Sequence, residues 1–373
     1  MDYSATTPVD KRVLEKMLPF FTENFGNAAS GDHVYGWQAK EAVDNARNQI
    51  AQLINAKSSE IIFTSGATEA VNLSLKGLIE ANSAKGNHII TQKTEHKAVL
   101  GTCRYLESKG CHVSYLDADE NGNISLEELE KNITGKTVVI AVQYANNETG
   151  VIHPAKEIGA IAKKYDTLFF CDATQAVGKI PVDVANDNID LLAFSGHKMY
   201  APKGVGVLYV RNQPKINLTI QQHGGNHERG KRSGTLNVPA IAGIGEAAAI
   251  CQKEMYEEGI RLEQLRNLLE NNLQKNIAGT TINGGKAKRL PQITNILFPN
   301  VNGEQLLLSL SGQLAASRGS ACGSAQRIPS HVIQAMGLGD DAAHNSIRFS
   351  LGRFTTEEEI NEVINIITKS LVK

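Results

Sequence analysis

The residues able to do chemistry in this chain stand where apolar runs end. The run at 191–194 gives way to Ser195-Gly196-His197-Lys198 and then a Pro-Lys-Gly turn. Burying an ammonium at the mouth of a strand costs several kcal/mol unless it gains a partner. Lys198 is therefore a candidate for Schiff-base chemistry, which removes the charge, although a solvated turn lysine has the same local sequence. The run at 60–64 leads into Ser65-Gly66-Ala67-Thr68 and a helical pattern. Glycine lets the backbone approach closely, and Ala67 and Thr68 open a helix whose free N–H groups suit a phosphate as well as a plain cap. Thr94-Glu95-His96 follows the run at 88–91. A histidine there can stack on a flat ring, move a proton or simply occupy a loop. Asn146-Asn147-Glu148-Thr149-Gly150 follows the run at 137–143. Asn147 could face a ring hydroxyl or a carboxylate, and Asn with Gly also forms turns. Asp172, with Gln175 after it, follows the run at 168–171. A carboxylate at the end of a buried strand needs a partner. A protonated pyridine nitrogen is one, through a charge-assisted hydrogen bond of about 1.5–3 kcal/mol.

Ligands of open α/β sheets bind beyond the carboxyl ends of the strands. Asp172 and Lys198 stand 26 residues apart, a spacing compatible with one cofactor lying between two strand ends. The five positions agree on a flat, phosphorylated pyridine aldehyde, and agreement across levels outweighs any single motif. That ligand is pyridoxal 5'-phosphate. Asp172 would keep its ring nitrogen protonated so that the ring acts as an electron sink. Thr68, Ser195 and His197 would form the phosphate cup, and Lys198 would hold the aldehyde carbon.

The elements that must carry these residues follow from the periodicity. Helical spacing marks 9–25, interrupted by Pro19, and 37–54. Strand and helix then alternate, with strands at 60–64, 88–91, 112–116, 137–143, 168–171, 191–194 and 205–210. Helices of ten or more residues between strands imply βαβ units and a mostly parallel sheet. A long helical stretch at 237–273, with Gly259 as its weak point, leads to a tail of mixed strands and helices. The expected fold is α/β: a large cofactor domain over 8–255, and a small α+β domain formed by 1–7 with 256–373.

The totals narrow the function. The chain has 373 residues, 41% hydrophobic and 21% charged, with a net charge of -1. It has no basic tail, so nucleic acid is not an expected partner. Its apolar runs are strand-sized, so no membrane span is expected. The opening MDYSATTPVD has neither a basic nor an apolar leader region. Five cysteines without a CxxC pair suit reduced thiols, and a cytoplasmic location is expected. Two motifs mislead. Residues 117–128 fit a calcium-loop pattern, but a strand precedes them and no second hand exists, so a polar turn capping a helix at Ser125 is the better reading. Gly243-Ile-Gly245 resembles a dinucleotide fingerprint, yet it lies within a helical pattern and reads as close helix packing. No metal site is expected.

The chain resembles the cysteine desulfurases, class V of the fold-type I pyridoxal-phosphate enzymes, in the branch that supplies sulfur for housekeeping iron–sulfur cluster assembly. The resemblance rests on motifs that keep their order nearly end to end: DYSATTP, FTSGATEA, TEHKAV, NNETG, DATQAVGK, SGHKMYAPKG, HERGKRSGT, GSAC and SIRFSLGRF. It implies that Lys198 holds the cofactor, Asp172 faces the ring nitrogen and Gln175 the ring hydroxyl. His96 would stack on the ring and take part in proton transfer. Thr68, Ser195 and His197 would bind phosphate, with Ala67 beside them. Thr235 would reach the phosphate of a partner subunit, making a homodimer. Asn147 and Arg348 would hold the substrate carboxylate, for which a planar guanidinium is well shaped.

The resemblance also makes Cys322 the nucleophile that takes sulfur from L-cysteine as a persulfide, leaving alanine. The sequence around it, SRGSACGSA, lacks apolar periodicity and has two glycines, so a mobile, exposed loop over about 315–327 is expected. The acceptor implied is a sulfur-accepting protein such as an iron–sulfur scaffold. Arg318 departs from the small residue common in relatives at that position. The alternatives are a selenocysteine lyase, a class V aminotransferase, or a non-catalytic sulfur-transfer subunit. Cys322 argues against the aminotransferase, and the presence of both Lys198 and Cys322 argues against the non-catalytic subunit.

Overall fold

Apolar residues spaced at helical and strand periods build the elements in the order the sequence predicts, with local corrections. The computed structural model describes residues 1–319 and 329–371. Pro19 splits the first expected helix into α1 (Lys11–Met17) and α2 (Pro19–Thr22), because a proline ring fits only a helix's first turn. There follow α3 (Val34–Leu53), β1 (Ile61–Thr64), α4 (Ala67–Ala81), β2 (His88–Gln92), α5 (Lys97–Glu107) and β3 (His112–Leu116). Next come α6 (Leu126–Asn132), β4 (Thr137–Ala141), α7 (Ala155–Lys164), β5 (Leu168–Asp172), β6 (Leu191–Ser195) and β7 (Gly206–Val210).

These strands form a seven-stranded sheet in the order β1-β7-β6-β5-β4-β2-β3. The β2–β3, β2–β4, β4–β5 and β5–β6 pairs are parallel, and β7 runs antiparallel to both its neighbours. The strands alternate side chains between two faces, as a period of two requires. Ile140, Leu192 and Phe194 join the core under α3 and the start of the long helix, while Val139, Leu191 and Ala193 join the core under α4 and α5.

The long helix α8 (Val238–Asn276) is unbroken, contrary to the expectation of weakness at Gly259. A mid-helix glycine costs only about 1 kcal/mol, and both halves are anchored. The first half is buried as far as Cys251, and burial resumes at Leu262 against a second sheet. That sheet joins β8 (Thr281–Ile282), β9 (Ile293–Leu297) and β10 (Ser346–Ser350) in the order β10-β9-β8. Around it stand α9 (Gly303–Leu310), α10 (His331–Ala335), α11 (Gly339–Asn345) and α12 (Glu357–Leu371). The sequence reading missed β8 and α11, which are short.

Both misleading motifs are resolved. Asp119 accepts from the backbone N–H groups of Asn121 (2.9 Å) and Asn123 (2.8 Å), and Ser125 caps α6, so residues 117–128 form a turn and a helix start. A Cβ on Gly245 would lie 2.5 Å from Ala46 Cα, and one on Gly243 would lie 2.6 Å from Met17 Sδ. Those glycines let α8 pack closely on α3 and α1.

Candidate active site

The strands β1, β2, β4, β5 and β6 run in the same direction, and their carboxyl ends open on one cavity of about 440 Å³. Ala67, Thr68, His96, Asn147, Asp172, Gln175, Ser195, His197, Lys198 and Arg348 all line it. The sequence reading and the geometry therefore meet at the same place. Thr235 is exposed and does not line this cavity. Cys322 lies outside the described residues.

Lys198 ends a single 3-10 turn, Gly196–Lys198, that follows β6. The chain near residue 5 runs alongside that turn. Lys198 Nζ donates to the carbonyls of Ser4 and Ala5, the latter at 2.7 Å, and Thr7 N–H donates to the His197 carbonyl at 3.0 Å. The ammonium is thus held by two carbonyl dipoles at the cavity wall. Tyr200, two residues on, is buried with φ +65°, a region unfavourable for a non-glycine residue. Thr7 Oγ1 accepts its N–H at 3.0 Å, and Lys179 and Arg353 stack on its ring, 4.1 and 4.4 Å from the centroid.

Asp172 closes β5 and is 6% exposed. Its Oδ1 accepts from the N–H (3.0 Å) and hydroxyl (2.5 Å) of Thr174. His96 is the N-cap of α5, and its Nδ1 accepts from Ala98 N–H at 3.1 Å. Burial lowers its pKa; Asp172 opposes that and Lys198 adds to it. The ring is therefore neutral near pH 7, with its proton on Nε2. His197 is pushed down to about 4 by burial, then by Lys198 and Lys203, and its Nδ1 meets Thr6 Oγ1 at 3.1 Å.

The helix α4 begins at Ala67 after Gly66, which supplies no side-chain cap, so its first N–H groups remain open beside Ser195 and His197. Close approach matters here: a Cβ on Gly206 of β7 would lie 2.5 Å from Gly66 Cα. Uncapped N–H groups, hydroxyls and a neutral imidazole form an anion cradle. The same cavity is lined by the buried carboxylate of Asp172 and by Lys198. This donor set fits the phosphate, ring nitrogen and aldehyde of pyridoxal phosphate.

In the NNETG turn the two asparagines divide the work. Asn146 Oδ1 accepts from the N–H groups of Glu148 (2.8 Å) and Thr149 (2.9 Å), which is the turn chemistry. Asn147 is left to face the cavity, and its carbonyl accepts from Arg348 Nη1 at 2.9 Å. Several participants were not singled out from the sequence. Ser4 and Ala5 carry no signal because they act through carbonyls. Asp2, Glu148 and Lys203 lay inside recognised motifs without an assigned role. Glu148, buried beside Asn147, accepts from Ser330 Oγ.

Comparison with known proteins agrees with this geometry. Residues 1–363 match the family model described as aminotransferase class V. A protein from Shewanella sp. (strain MR-4) named Cysteine desulfurase IscS is 52% identical over all of this chain and 92% of its own length. A relative of the same name from Shewanella baltica is 53% identical over the same shares. A solved structure titled NIFS-like protein superposes with a TM-score of 0.92 at 38% identity, covering 99% of this chain and 98% of its own. Another, titled SspA in complex with cysteine, has a TM-score of 0.83 at 36% identity, covering 95% of this chain and 99% of its own. The chain belongs to the class V aminotransferase family and, within it, to the cysteine desulfurases.

Proposed function

We propose that the protein converts L-cysteine to L-alanine and carries the released sulfur as a persulfide on Cys322. The observation that supports this reading most directly is the meeting of Asp172, His96, Lys198 and Arg348 in one cavity beside an open helix N-terminus. Pyridoxal 5'-phosphate, when bound there, supplies an electron sink that eases loss of an amino acid's Cα proton. Lys198 would hold it, Asp172 and Gln175 would face its ring, and Ala67, Thr68, Ser195 and His197 would surround its phosphate.

The chain's own residues do the rest. Arg348 and Asn147 orient the substrate carboxylate. Lys198 Nζ accepts the Cα proton and later returns a proton to the product. His96, neutral with its proton on Nε2, would face the cofactor ring and take part in proton transfer at the cavity. Cys322 acts as a thiolate, since the thiol is a poor nucleophile. A new S–S bond forms at Cys322 as the substrate's Cβ–S bond breaks. L-cysteine and the enzyme thiol become L-alanine and an enzyme persulfide, so no external oxidant is needed. The contacts of the described residues on either side of this stretch support the reading. Ser317 N–H and carbonyl pair with the Arg348 backbone, and Ser330 is tied to Glu148.

The same reading includes a large domain over 8–255, a small one from 1–7 with 256–373, and a homodimer in which Thr235 reaches the partner's phosphate site. It places the protein in the cytoplasm, with a sulfur-accepting protein such as an iron–sulfur scaffold as its partner. Among the described residues, no helix is long and apolar enough to cross a membrane, and Cys103, Cys111, Cys171 and Cys251 are unpaired. The test is incubation of the holoenzyme with L-cysteine and a thiol reductant. Alanine and sulfide in equal amounts are expected, and Cys322→Ala should bind cysteine without releasing sulfur. Full activity of Cys322→Ala, or formation of pyruvate in place of alanine, would overturn the proposal.

A further inference from the structure

Arg348 is 1% exposed, yet it faces the substrate cavity. A buried guanidinium needs both a counter-charge and fixed hydrogen-bond partners to hold one orientation. Its Nη1 donates to the Asn147 carbonyl at 2.9 Å. Its Nη2 donates to Asp2 Oδ1 at 2.8 Å and to Ser317 Oγ at 2.7 Å. Ser317 Oγ in turn donates to the same Asp2 oxygen at 3.0 Å, closing a ring of three side chains. Nε is buried without a partner among the described residues. A guanidinium has five N–H donors, so Nε–H and one N–H of Nη1 remain unspent.

Asp2 is itself held in place. Residues 1–4 run beside β10, two positions from Arg348. Ser350 N–H donates to the Met1 carbonyl at 3.0 Å, and Ser4 N–H donates to Ser350 Oγ at 2.8 Å. The carboxylate therefore approaches Arg348 from a backbone that is paired on both sides of it. Asp2 side-chain exposure is 24%, so this ion pair is screened on one side only.

We propose that Asp2 is a positioning residue: it fixes the Arg348 guanidinium so that the unspent donors meet the substrate carboxylate, and so sets the affinity for amino-acid substrate. The proposal rests on the reading that Arg348 binds the carboxylate of L-cysteine. Asp2 acts through Arg348 and takes no part in the chemistry at Cα or sulfur. Its loss therefore moves KM far more than kcat. It also leaves unchanged the binding of a ligand that lacks the carboxylate.

The experiment compares the holoenzyme with Asp2→Asn and Asp2→Ala. KM and kcat are measured for L-cysteine, and binding of cysteamine, which has the amine and thiol but no carboxylate, is followed by the cofactor's absorbance. We expect KM for L-cysteine to rise on the order of tenfold in Asp2→Asn and at least as far in Asp2→Ala, with kcat within about twofold and cysteamine binding unchanged. An unchanged or lower KM would overturn the role of Asp2, a lower value meaning that it competes with substrate for the guanidinium. Equal weakening of cysteamine and cysteine would also overturn it, by showing a general loosening of the site. If Arg348→Ala leaves KM for L-cysteine unchanged, the underlying reading of Arg348 fails instead, so the two failures are distinct.

Discussion

Arg348 Nη1 donates to the carbonyl of Asn147 at 2.9 Å, joining residues 201 positions apart in the chain. Arg348 lies on β10 of the small sheet, and Asn147 follows β4 of the large one. The bond ties the two sheets together at the cavity. It also places a guanidinium beside a side-chain amide where an amino-acid carboxylate would sit. Arg348→Ala removes a charged, two-pronged donor and should raise KM for L-cysteine by one to two orders of magnitude, corresponding to about 1.5–3 kcal/mol. Arg348→Lys should recover only part of that loss, because a point charge cannot reproduce the fork. Steady-state kinetics on the three proteins check this, and equal KM values would rule out the carboxylate role.

Glu95 is fully buried behind His96, and burial pushes its pKa up to about 8, against the hydrogen bonds it accepts from Gln143 N–H (2.6 Å) and Gln92 Nε2 (2.8 Å). Its folded pKa lies above the ordinary 4.5, so the folded state binds the extra proton between those values. Stability is therefore lost as pH rises from about 4.5 to 8. Glu95→Gln keeps the acceptor and stays neutral. It should be more stable than the parent at pH 8, by up to a few kcal/mol, with the gap closing toward pH 4.5. Thermal melting at a series of pH values measures this, and a variant less stable at pH 8 than the parent would contradict it.

His153 behaves in the opposite sense. It is fully buried, burial pushes its pKa down to about 4, and its Nε2 meets Gln92 Nε2 at 3.2 Å. The amide donates, so the imidazole is neutral with its proton on Nδ1. A base with a lowered folded pKa contributes stability that is complete above the unfolded value of 6.5 and is lost as pH falls from 6.5 toward 4. His153→Gln should flatten the fall in melting temperature across that range, by an amount worth roughly 3 kcal/mol at its lower end. His197, with a pKa also near 4, contributes a slope that survives in this variant. An unaltered slope in the variant would remove His153 from the account.

Much of this site was legible because open sheets put ligands at strand ends, and each strand end here carries a distinct residue type. Asp172, His96, Asn147 and Lys198 each had a plain turn or loop reading alone, and their shared position after apolar runs, agreeing on one ligand, singled them out. The long-range partners could not. Lys198 is held by the Ser4 and Ala5 carbonyls, and backbone acceptors leave no trace in residue type. Asp2 meets Arg348 across 346 positions, a pairing set by the path of residues 1–4 along β10. The break at Pro19 was visible as an interruption, whereas the continuity of α8 through Gly259 was not. Packing at both ends of that helix outweighs a glycine's small local cost. The two-residue β8 is paired to β9 by tertiary contacts and has too little sequence to show a period.

Reduction of the holoenzyme with borohydride followed by peptide mapping shows whether Lys198 anchors the cofactor. Among the described residues, two lysines line the cavity, Lys198 and Lys203. The pyridoxyl group is expected on the peptide containing Lys198 and is expected to be absent from Lys198→Ala treated in the same way. A label on Lys203 or any other lysine, or a label that persists undiminished in Lys198→Ala, would show that Lys198 is not the anchor.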